Sequence, residues 1–261
     1  MTDAHAPLAD LVAAVPGLPT GRLVAPAGYG GAEPLLWVAD VPAGRGRWAE
    51  LAAAHPATGL WPVLLEGLAE GDLARPWLEG EFAPAPWAPL DVPALEPLLA
   101  EAFAGAFEDE DEFPAGPPPW PGPSPALTPV ADPAAVAAVL ADELVDHGAP
   151  RHLGLVPAAR GADVLAVLGW LGATNHDTAP GVLSSVLRSW EDRFGVRLVA
   201  LGFDTVVVSV AAPPADAAEA LPVAAEHLGF CYDAVFQDGP GDLAAYAAEL
   251  VGTGAWRFWW D

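Results

Sequence analysis

The chain has 261 residues, of which 53% are hydrophobic, and its formal net charge is −25 because 35 acidic residues face 10 arginines and no lysine. So many apolar residues can build a core, which excludes disorder of the whole chain. The negative charge opposes binding to nucleic acid or to anionic membranes, and no apolar run approaches the roughly 18 residues of a transmembrane helix.

The compartment is indicated by the N-terminus and by the cysteine content. MTDAHAPLADL has no basic segment followed by an apolar one, unlike a secretory signal. Cys231 is the single cysteine, so neither an intramolecular disulfide nor a four-thiolate zinc site can form. We therefore expect a cytoplasmic protein that needs no cofactor.

Residues 1–105 are predicted to form a smaller mixed α/β region. Short apolar runs predict strands at 22–25, 35–39 and 61–65, and helical spacing predicts two helices. The first helix begins near Arg45 and is expected to end at Pro56, and the second spans 92–103.

Residues 106–130 are predicted to be a linker. Five consecutive acids, Glu108–Glu112, repel one another, and the eight prolines between Pro114 and Pro129 disfavour helix and sheet. An extended segment here would separate residues 1–105 from a C-terminal domain at 131–261.

The C-terminal domain is predicted to be α+β. We expect helices at 134–145, 164–171, 180–194, 213–228 (restarting at Pro222) and 243–250, and strands at 152–156, 196–201, 205–210 and 256–260. With neighbouring helices merged, the order from His152 is β-α-β-β-α-β. That order predicts a ferredoxin-like antiparallel sheet with helices on one face.

The stretch SWEDRFG ends the predicted helix at 180–194. One apolar stripe at helical spacing consists of Leu183, Val186, Leu187, Trp190 and Phe194. Arg188 and Asp192 are expected to pair across one turn, and Gly195 suits the left-handed position after a helix. Glu191 and Arg193 flank Trp190 without an assigned role, so all three are candidate site residues.

Asn175-His176-Asp177 precedes the same helix. Asp177 or Thr178 is the expected N-cap. The helix N-terminus disfavours a protonated imidazole, so His176 would be neutral and available as a base or a ligand.

Glu226, His227, Cys231 and Asp233 form the most metal-like cluster. Cys231 would share a helix face with His227 only if the helix continued past Gly229, and the second histidine of a usual site is missing unless His176 supplies it. A buried structural cysteine and an activated thiol are the alternatives. We expect no bound metal.

The last two candidates lie at a turn and at the final strand. Asp204 sits in a predicted hairpin turn, where Asp commonly bonds the backbone. The final strand turns Trp256, Phe258 and Trp260 toward the core. Arg257, Trp259 and Asp261 lie on its other face, as a second buried layer or as an aromatic patch for a ligand or partner.

Strong catalytic signatures are absent from the sequence. It has no P-loop lysine, no G-x-G-x-x-G after a strand, no G-x-S-x-G and no H-E-x-x-H. Kinases, P-loop NTPases, standard dinucleotide enzymes, common serine hydrolases and zincin proteases are therefore excluded.

From LGLVPA at Leu153 onward, the chain resembles the bacterial domain-of-unknown-function family numbered 4253. The resemblance is carried by VLRSWEDRFGVRLVALGFDTVVVSVAAPP, VAAEHLGFCYD and the closing WRFWWD, while HPATGLWPVLL looks like a region that accompanies this domain in actinobacteria. The resemblance implies no activity. It implies these family motif positions: Trp190, Glu191, Phe194, Gly195, Asp204, His227, Cys231, Trp259, Trp260 and Asp261.

Three functions remain open. The leading one is a non-enzymatic binding module whose acidic surface recognises a basic protein, as an immunity protein neutralises a toxin. The second is a hydrolase-like or metal-assisted enzyme whose acid and base come from His176, Glu191, Asp204, His227 and Asp233. The third is a small-ligand pocket lined by tryptophan. Convergence of these side chains in one pocket would favour the enzyme or the ligand site.

Overall fold

A computed structural model describes residues 6–28, 31–108, 113, 116–176 and 178–261. Its strands are β1 (Gly21–Val24), β2 (Leu36–Pro42), β3 (Leu60–Leu65), β4 (His152–Pro157), β5 (Arg197–Leu201), β6 (Thr205–Ser209) and β7 (Ala255–Trp259). All of them belong to a single sheet.

In the described residues, the first α-helix precedes β1 and the others lie between strands along the chain. They are α1 (Leu8–Ala13), α2 (Arg47–Thr58), α3 (Val92–Gly105), α4 (Pro133–Asp146), α5 (Val164–Leu168), α6 (Pro180–Phe194), α7 (Ala217–Phe230), α8 (Asp233–Phe236) and α9 (Leu243–Leu250). Short 3₁₀ turns occur at Ala69–Gly71, Gly161–Asp163 and Thr174–His176. The predicted α+β class is confirmed.

The sheet combines strands from before and after residues 106–130. Its strand order is β1-β2-β4-β3-β5-β6-β7. All neighbouring strands are antiparallel except β3 and β5, which run parallel with Leu64 opposite Ala200 and Leu65 opposite Leu201. Strands from both sides of residues 106–130 therefore pair with each other, and the predicted linker does not separate two sheets.

The ferredoxin-like arrangement is not confirmed. The chain order from His152 is β-α-β-β-α-β as expected, but β3 lies between β4 and β5, and β7 lies at the sheet edge beside β6. All six residues of β3, LWPVLL, are buried. A strand this apolar is stable only between two partners, and both partners come from far along the chain.

Helices cover both faces of the sheet centre, not one. Every residue of β3 and β6 is buried, and successive side chains of a strand point to opposite faces, so both faces must be covered. Helix α2 packs on β3, α4 packs on β5 and β6, and α5 packs on β4.

Two prolines were predicted to interrupt helices and do not. Helix α2 passes Pro56 and ends at Thr58, followed by Gly59 in the left-handed conformation at φ 67°. Pro222 lies inside α7, which begins after Asp216, whose side chain accepts hydrogen bonds from the amides of Ala218 and Glu219. Pro222 is the sixth residue of α7, so the helix continues through it without the backbone bond that an amide there would make to the Ala218 carbonyl.

Residues 116–131 contain neither helix nor strand, as predicted, yet they pack against the rest of the protein. The Trp120 ring lies 5.2 Å from that of Phe103, Ser124 is buried, and the Leu127 amide donates to the Arg193 carbonyl at 3.0 Å. The rest of the predicted acidic run, 109–112, lies outside the described residues.

Within the described part of the chain, none of the helices combines the length and the apolar character that crossing a bilayer requires.

Candidate functional site

The apolar stripe of α6 faces the core as predicted. Its five members, Leu183, Val186, Leu187, Trp190 and Phe194, are all buried. Gly195 follows in the left-handed conformation at φ 62°. The Trp190 ring stacks on Phe258 of β7 with centroids 5.5 Å apart, so the end of α6 is fixed against the last strand.

Glu226 is the centre of a buried polar cluster that includes Trp190 and Arg193. The Trp190 Nε1 donates to Glu226 Oε2 at 2.9 Å, and the Arg193 guanidinium donates to both carboxylate oxygens at 2.8 and 2.6 Å. The Ser124 amide adds a bond of 2.7 Å to Oε1. Glu226 is fully buried, and four hydrogen bonds replace its lost hydration. We call Ser124, Trp190, Arg193 and Glu226 the Glu226 cluster.

Glu191 belongs to a different cluster, on the other side of Trp190. It accepts from Arg160 Nε at 2.6 Å and from the Ala162 amide at 3.0 Å. Burial raises the pKa of Glu191, and the positive charge of Arg160 partly offsets that rise. Glu191 therefore anchors the turn before α5.

The expected pairing of Arg188 with Asp192 is wrong. Arg188 donates to Asp163, with Nη2 and Oδ2 2.6 Å apart, and Asp192 accepts from Arg160 Nη2 at 2.6 Å. Asp163 is buried, so it attracts Arg188 more strongly than the solvated Asp192 does.

His227 is enclosed by aromatic rings. Its ring centroid lies 4.3 Å from Trp256, 4.9 Å from Trp190 and 4.9 Å from Phe258. Its Nδ1 is 3.1 Å from the Tyr246 hydroxyl, and its Nε2 has no hydrogen-bond partner among the described residues. Burial lowers the pKa of His227 to about 3, so this imidazole is neutral and is sealed away from solvent.

Cys231 is a buried thiol and not an activated one. Helix α7 ends at Phe230, so Cys231 does not continue the helix face of His227. Its Sγ donates to the Trp259 carbonyl at 3.0 Å, and burial raises its pKa to about 12. A nucleophilic thiol needs the opposite shift.

His176 and Asp233 are brought together. The Nε2 of His176 lies 2.9 Å from Oδ2 of Asp233, whose side chain is fully buried while that of His176 remains 29% exposed. Asp233 also accepts from Gln237 Nε2 at 2.6 Å and from the Asp261 amide at 3.0 Å. Two hydrogen-bond donors thus hold a buried carboxylate that lies next to a partly exposed imidazole.

The predicted N-cap beside His176 is not Thr178. Helix α6 begins after Ala179, with Pro180 in its first turn and without a side-chain cap. The Thr178 hydroxyl instead donates to the His176 carbonyl at 3.2 Å. Asp177, the other predicted cap, lies outside the described residues.

His176 lines a cleft of about 340 Å³ between the C-terminal ends of α3 and α7. We call it the His176 cleft, and its lining residues are Ala102, Gly105, Ala106, Phe113, His176, Thr178, Leu228, Gly229, Phe230, Tyr232 and Trp260. A narrower apolar cavity of about 240 Å³ shares Ala102, Thr178, Gly229 and Phe230 with it.

Asp204, Trp259 and Asp261 lie on the other side of Trp260. Asp204 accepts from Trp259 Nε1 at 3.2 Å and from the Thr205 hydroxyl at 3.0 Å, and the Asn175 side chain donates to the Asp261 carbonyl at 2.8 Å. Asp204 and Asp261 border a second cleft, of about 320 Å³. The Trp259 ring is half-buried rather than part of an open patch.

The candidate residues therefore do not converge. Glu226, His227, Cys231 and Asp233 each face a different partner, and within 6–28, 31–108, 113, 116–176 and 178–261 no three His, Cys, Asp or Glu side chains could share a metal ion. His176 and Asp233 place a titratable pair beside a cleft, and so do the ion pairs Arg75–Glu81 and Arg151–Glu66 at two other clefts.

Several residues of these clusters were missed in the sequence. Arg160, Ser124 and Gln237 give no local signal, because each acts on a partner at least four positions away. The aromatic residues Phe230 and Tyr232, in GFCYD, were the available indication of the cleft wall.

The comparison with protein families identifies the C-terminal region. Residues 152–261 match the family model "Domain of unknown function (DUF4253)", which confirms the resemblance seen in SWEDRFG, GFCYD and WRFWWD. The match contains β4 to β7 and the helices from α5 to α9. Neither a curated protein nor a solved structure matches the chain.

Proposed function

We propose that this protein is a non-enzymatic binding module whose negatively charged surface recognises a basic protein, in the manner of an immunity protein that neutralises a toxin. The supporting observation is how its arginines are used. Nine of the ten form ion pairs with carboxylates of the same chain, at Asp40, Asp142, Glu50, Glu81, Glu66, Glu191, Asp163, Glu226 and Asp238.

The tenth arginine, Arg197, bonds to the backbone instead. Arg197 Nη1 donates to the Val196 carbonyl at 2.7 Å, and its charge partly offsets the rise in pKa that burial gives Glu191. Nine arginines are thus paired with carboxylates of the same chain, some buried and some at the surface, and the remaining acids give the surface its excess of negative charge.

Several exposed acids gather where three helices begin or end. The Val130 amide donates to the Ala211 carbonyl at 2.8 Å and the Gly252 amide to the Pro214 carbonyl at 2.9 Å, which brings the starts of α4 and α7 beside the end of α9. The exposed acids at these helix ends are Asp132, Asp216, Glu219 and Glu249. A surface of one sign accelerates association with a partner of the opposite sign.

The test is to mix the purified protein with the purified products of its neighbouring genes and to measure binding by calorimetry at about 50 mM and about 300 mM salt. We expect one basic product to bind with a micromolar or lower Kd that weakens at least about tenfold at the higher salt. Binding only to a neutral or acidic product, or salt-independent binding, would contradict the proposal.

A matched pair of variants locates the contact. Glu219→Gln with Glu249→Gln neutralises two acids outside the ion pairs, whereas Asp40→Asn with Glu50→Gln neutralises two acids inside them. Both pairs change the net charge equally. We expect the first pair to weaken binding several-fold and the second to leave it within about twofold.

The second candidate is a hydrolase-like or metal-assisted enzyme. It is favoured by one observation, the contact of His176 with buried Asp233 beside a cleft, because an imidazole oriented by a carboxylate can take a proton from water. Stoichiometric zinc or iron in the purified protein, or an ester hydrolysis that is lost in His176→Ala, would favour the enzyme over the binding module.

A further inference from the structure

The segment 116–131 fills a site on the domain that matches the family model. Its sequence, GPPPWPGPSPALTPVA, contains no charged residue, and it forms neither helix nor strand. The segment lies outside the matched residues 152–261, whereas Trp190, Arg193 and Glu226 lie inside them. The domain therefore carries a buried ion pair whose hydrogen bonds are completed by a segment from outside the domain.

The ion pair binds the backbone of the segment at Ser124. The Ser124 amide donates to Glu226 Oε1 at 2.7 Å, and Arg193 Nη1 donates to the Ser124 carbonyl at 2.7 Å. The Ser124 hydroxyl donates to the neighbouring Pro125 carbonyl, within the segment. Since Ser124 is only 2% exposed, the site requires a small residue at this position. It also requires an amide hydrogen, which proline lacks.

Further backbone bonds follow along the segment at intervals of three residues. The Leu127 amide donates to the Arg193 carbonyl at 3.0 Å, and the Val130 amide donates to the Ala211 carbonyl at 2.8 Å. Positions 124, 127 and 130 would share one face of a polyproline II helix, which has three residues per turn. The spacing of the acceptors thus suits a proline-containing extended chain.

The side chains of the segment add two apolar anchors. The Trp120 ring packs against Phe103 at 5.2 Å, and the partly buried Leu127 packs against the core. Most of the prolines, at 117–119, 121, 125 and 129, are exposed. A segment held by so few buried side chains opens locally at a lower free energy than the sheet does. While it is in place its amide uses Glu226 Oε1, so another chain can bind here only by displacing it.

We propose that the surface around Arg193, Glu226 and Ala211 is a peptide-binding site that residues 116–131 occupy within the same chain. Its partner is an extended, uncharged, proline-containing segment of another protein, with an aromatic residue four positions before a small non-proline residue. That segment replaces residues 116–131 and remakes the same backbone bonds. Binding of an uncharged segment does not depend on the acidic surface proposed for the basic partner, so either can fail without the other.

The first experiment uses the segment itself as the probe, as a fluorescently labelled peptide GPPPWPGPSPALTPVA with blocked ends. It is titrated into the full-length protein and into the full-length double variant Trp120→Ala, Ser124→Pro, which lacks the aromatic anchor and the amide donor. A tethered segment competes at an effective concentration of about 1 mM. We therefore expect the variant to bind with a Kd of about 100 µM or below, and the unmodified protein to bind at least about tenfold more weakly.

Two outcomes of this titration would overturn the proposal. One is equal affinity of the two proteins for the peptide. The other is the absence of binding up to about 1 mM in a double variant that still unfolds cooperatively in urea. The matched control is Pro119→Ala with Thr128→Ala, at exposed positions of the segment, which should bind the peptide as weakly as the unmodified protein does.

A second peptide tests the backbone bond to Glu226. The peptide with Ser124→Pro lacks the amide donor, and one hydrogen bond is worth about fivefold or more in Kd. We expect this peptide to bind the double variant at least about fivefold more weakly than the original peptide. Equal affinity of the two peptides would contradict the role of Glu226.

Salt dependence and oligomeric state separate this site from other kinds of association. Because the peptide is uncharged, its Kd should change by less than about twofold between about 50 mM and about 300 mM salt. The unmodified protein should be monomeric by light scattering. A dimer that dissociates in the double variant would assign the site to the segment of a second copy and overturn the proposal of a different partner.

A measurement on the unmodified protein covers the case in which the double variant does not fold. In protein labelled with ¹⁵N at tryptophan, unlabelled peptide at about 5 mM exceeds the effective concentration of the tethered segment. It should displace that segment and shift the indole resonance of Trp120. The indole of Trp48, which donates to the Pro62 carbonyl at 3.0 Å, should not respond. An unchanged Trp120 resonance would overturn the proposal.

Discussion

The Glu226 cluster and the His176–Asp233 pair use similar chemistry in different ways. In each, a fully buried carboxylate near the end of α7 meets a cationic or imidazole side chain from the α6 side. Arg193 is only 12% exposed, and together with Trp190 and Ser124 it occupies both carboxylate oxygens of Glu226. His176 is 29% exposed and lines a cleft.

The two carboxylates differ in whether the side chain they hold is open to solvent. A carboxylate whose oxygens are all used by buried donors stabilises one arrangement of the chain and offers nothing to an additional ligand. A carboxylate that holds a partly exposed imidazole orients a group that can still make a new bond. Sequence motifs alone gave Glu226 and Asp233 equal weight.

The largest effect is expected for Glu226→Gln. The substitution leaves Arg193 without a countercharge in a buried site, so the free energy of unfolding should fall by about 3–5 kcal/mol, measured by urea denaturation. Glu249→Gln, at an exposed acid of α9, is the control and should change it by less than about 0.5 kcal/mol. If Glu226→Gln lowers the free energy of unfolding by less than about 1 kcal/mol, the Glu226 cluster is not sealed from solvent.

An intermediate effect is expected for His227, which is buried without any countercharge. Its folded-state pKa of about 3 lies below the unfolded value of 6.5, so only the unfolded chain binds this proton as the pH falls from about 6.5 toward 3. The stability is complete above pH 6.5 and is lost on acidification, by about 2 kcal/mol between pH 7 and pH 5.

His227→Gln should remove this part of the acid sensitivity. The measurement compares the free energy of unfolding in urea at pH 7 and at pH 5 for both proteins. The packing lost in the variant lowers both values equally, so the difference between them reports only the titration of His227. His147→Gln, at an exposed position, should keep the original slope. An unchanged slope in His227→Gln would mean that this histidine titrates normally.

The smallest effect is expected for His176→Ala. Asp233 retains Gln237 and the Asp261 amide as donors, and the partly exposed contact with His176 contributes little, so the loss of stability should stay below about 1 kcal/mol in thermal or urea unfolding. A loss comparable to that of Glu226→Gln would make the pair structural and remove the contrast between the two regions.

Local patterns predicted the parts of the fold that depend on neighbouring residues. The α6 stripe, the left-handed Gly195 and the hairpin of β5 and β6 are all present. Each follows from helical or strand periodicity, or from the conformational preference of one residue. Pro56 and Pro222 misled because each helix continues through its proline and loses only the backbone bond that the missing amide would have made.

Long-range partners were the part that the sequence did not reveal. In the sequence, Asp192 lies one helical turn after Arg188. Only the fold shows that the buried Asp163 also lies beside Arg188 and is its partner. The approach of His176 to Asp233 spans 57 positions, and no spacing rule connects residues so far apart. The position of β3 was missed for the same reason.

The placement of β3 has a consequence for how the polypeptide acquires its shape during synthesis. The segment 152–261 contains both neighbours of the gap that β3 fills but not β3 itself, so the two parts of its sheet meet only through a strand made about ninety residues earlier. That strand, LWPVLL, must wait until residues 197–201 have left the ribosome before its second edge is covered. An apolar edge that waits this long invites association with other chains, and residues 152–261 expressed without residues 60–65 should be prone to aggregate.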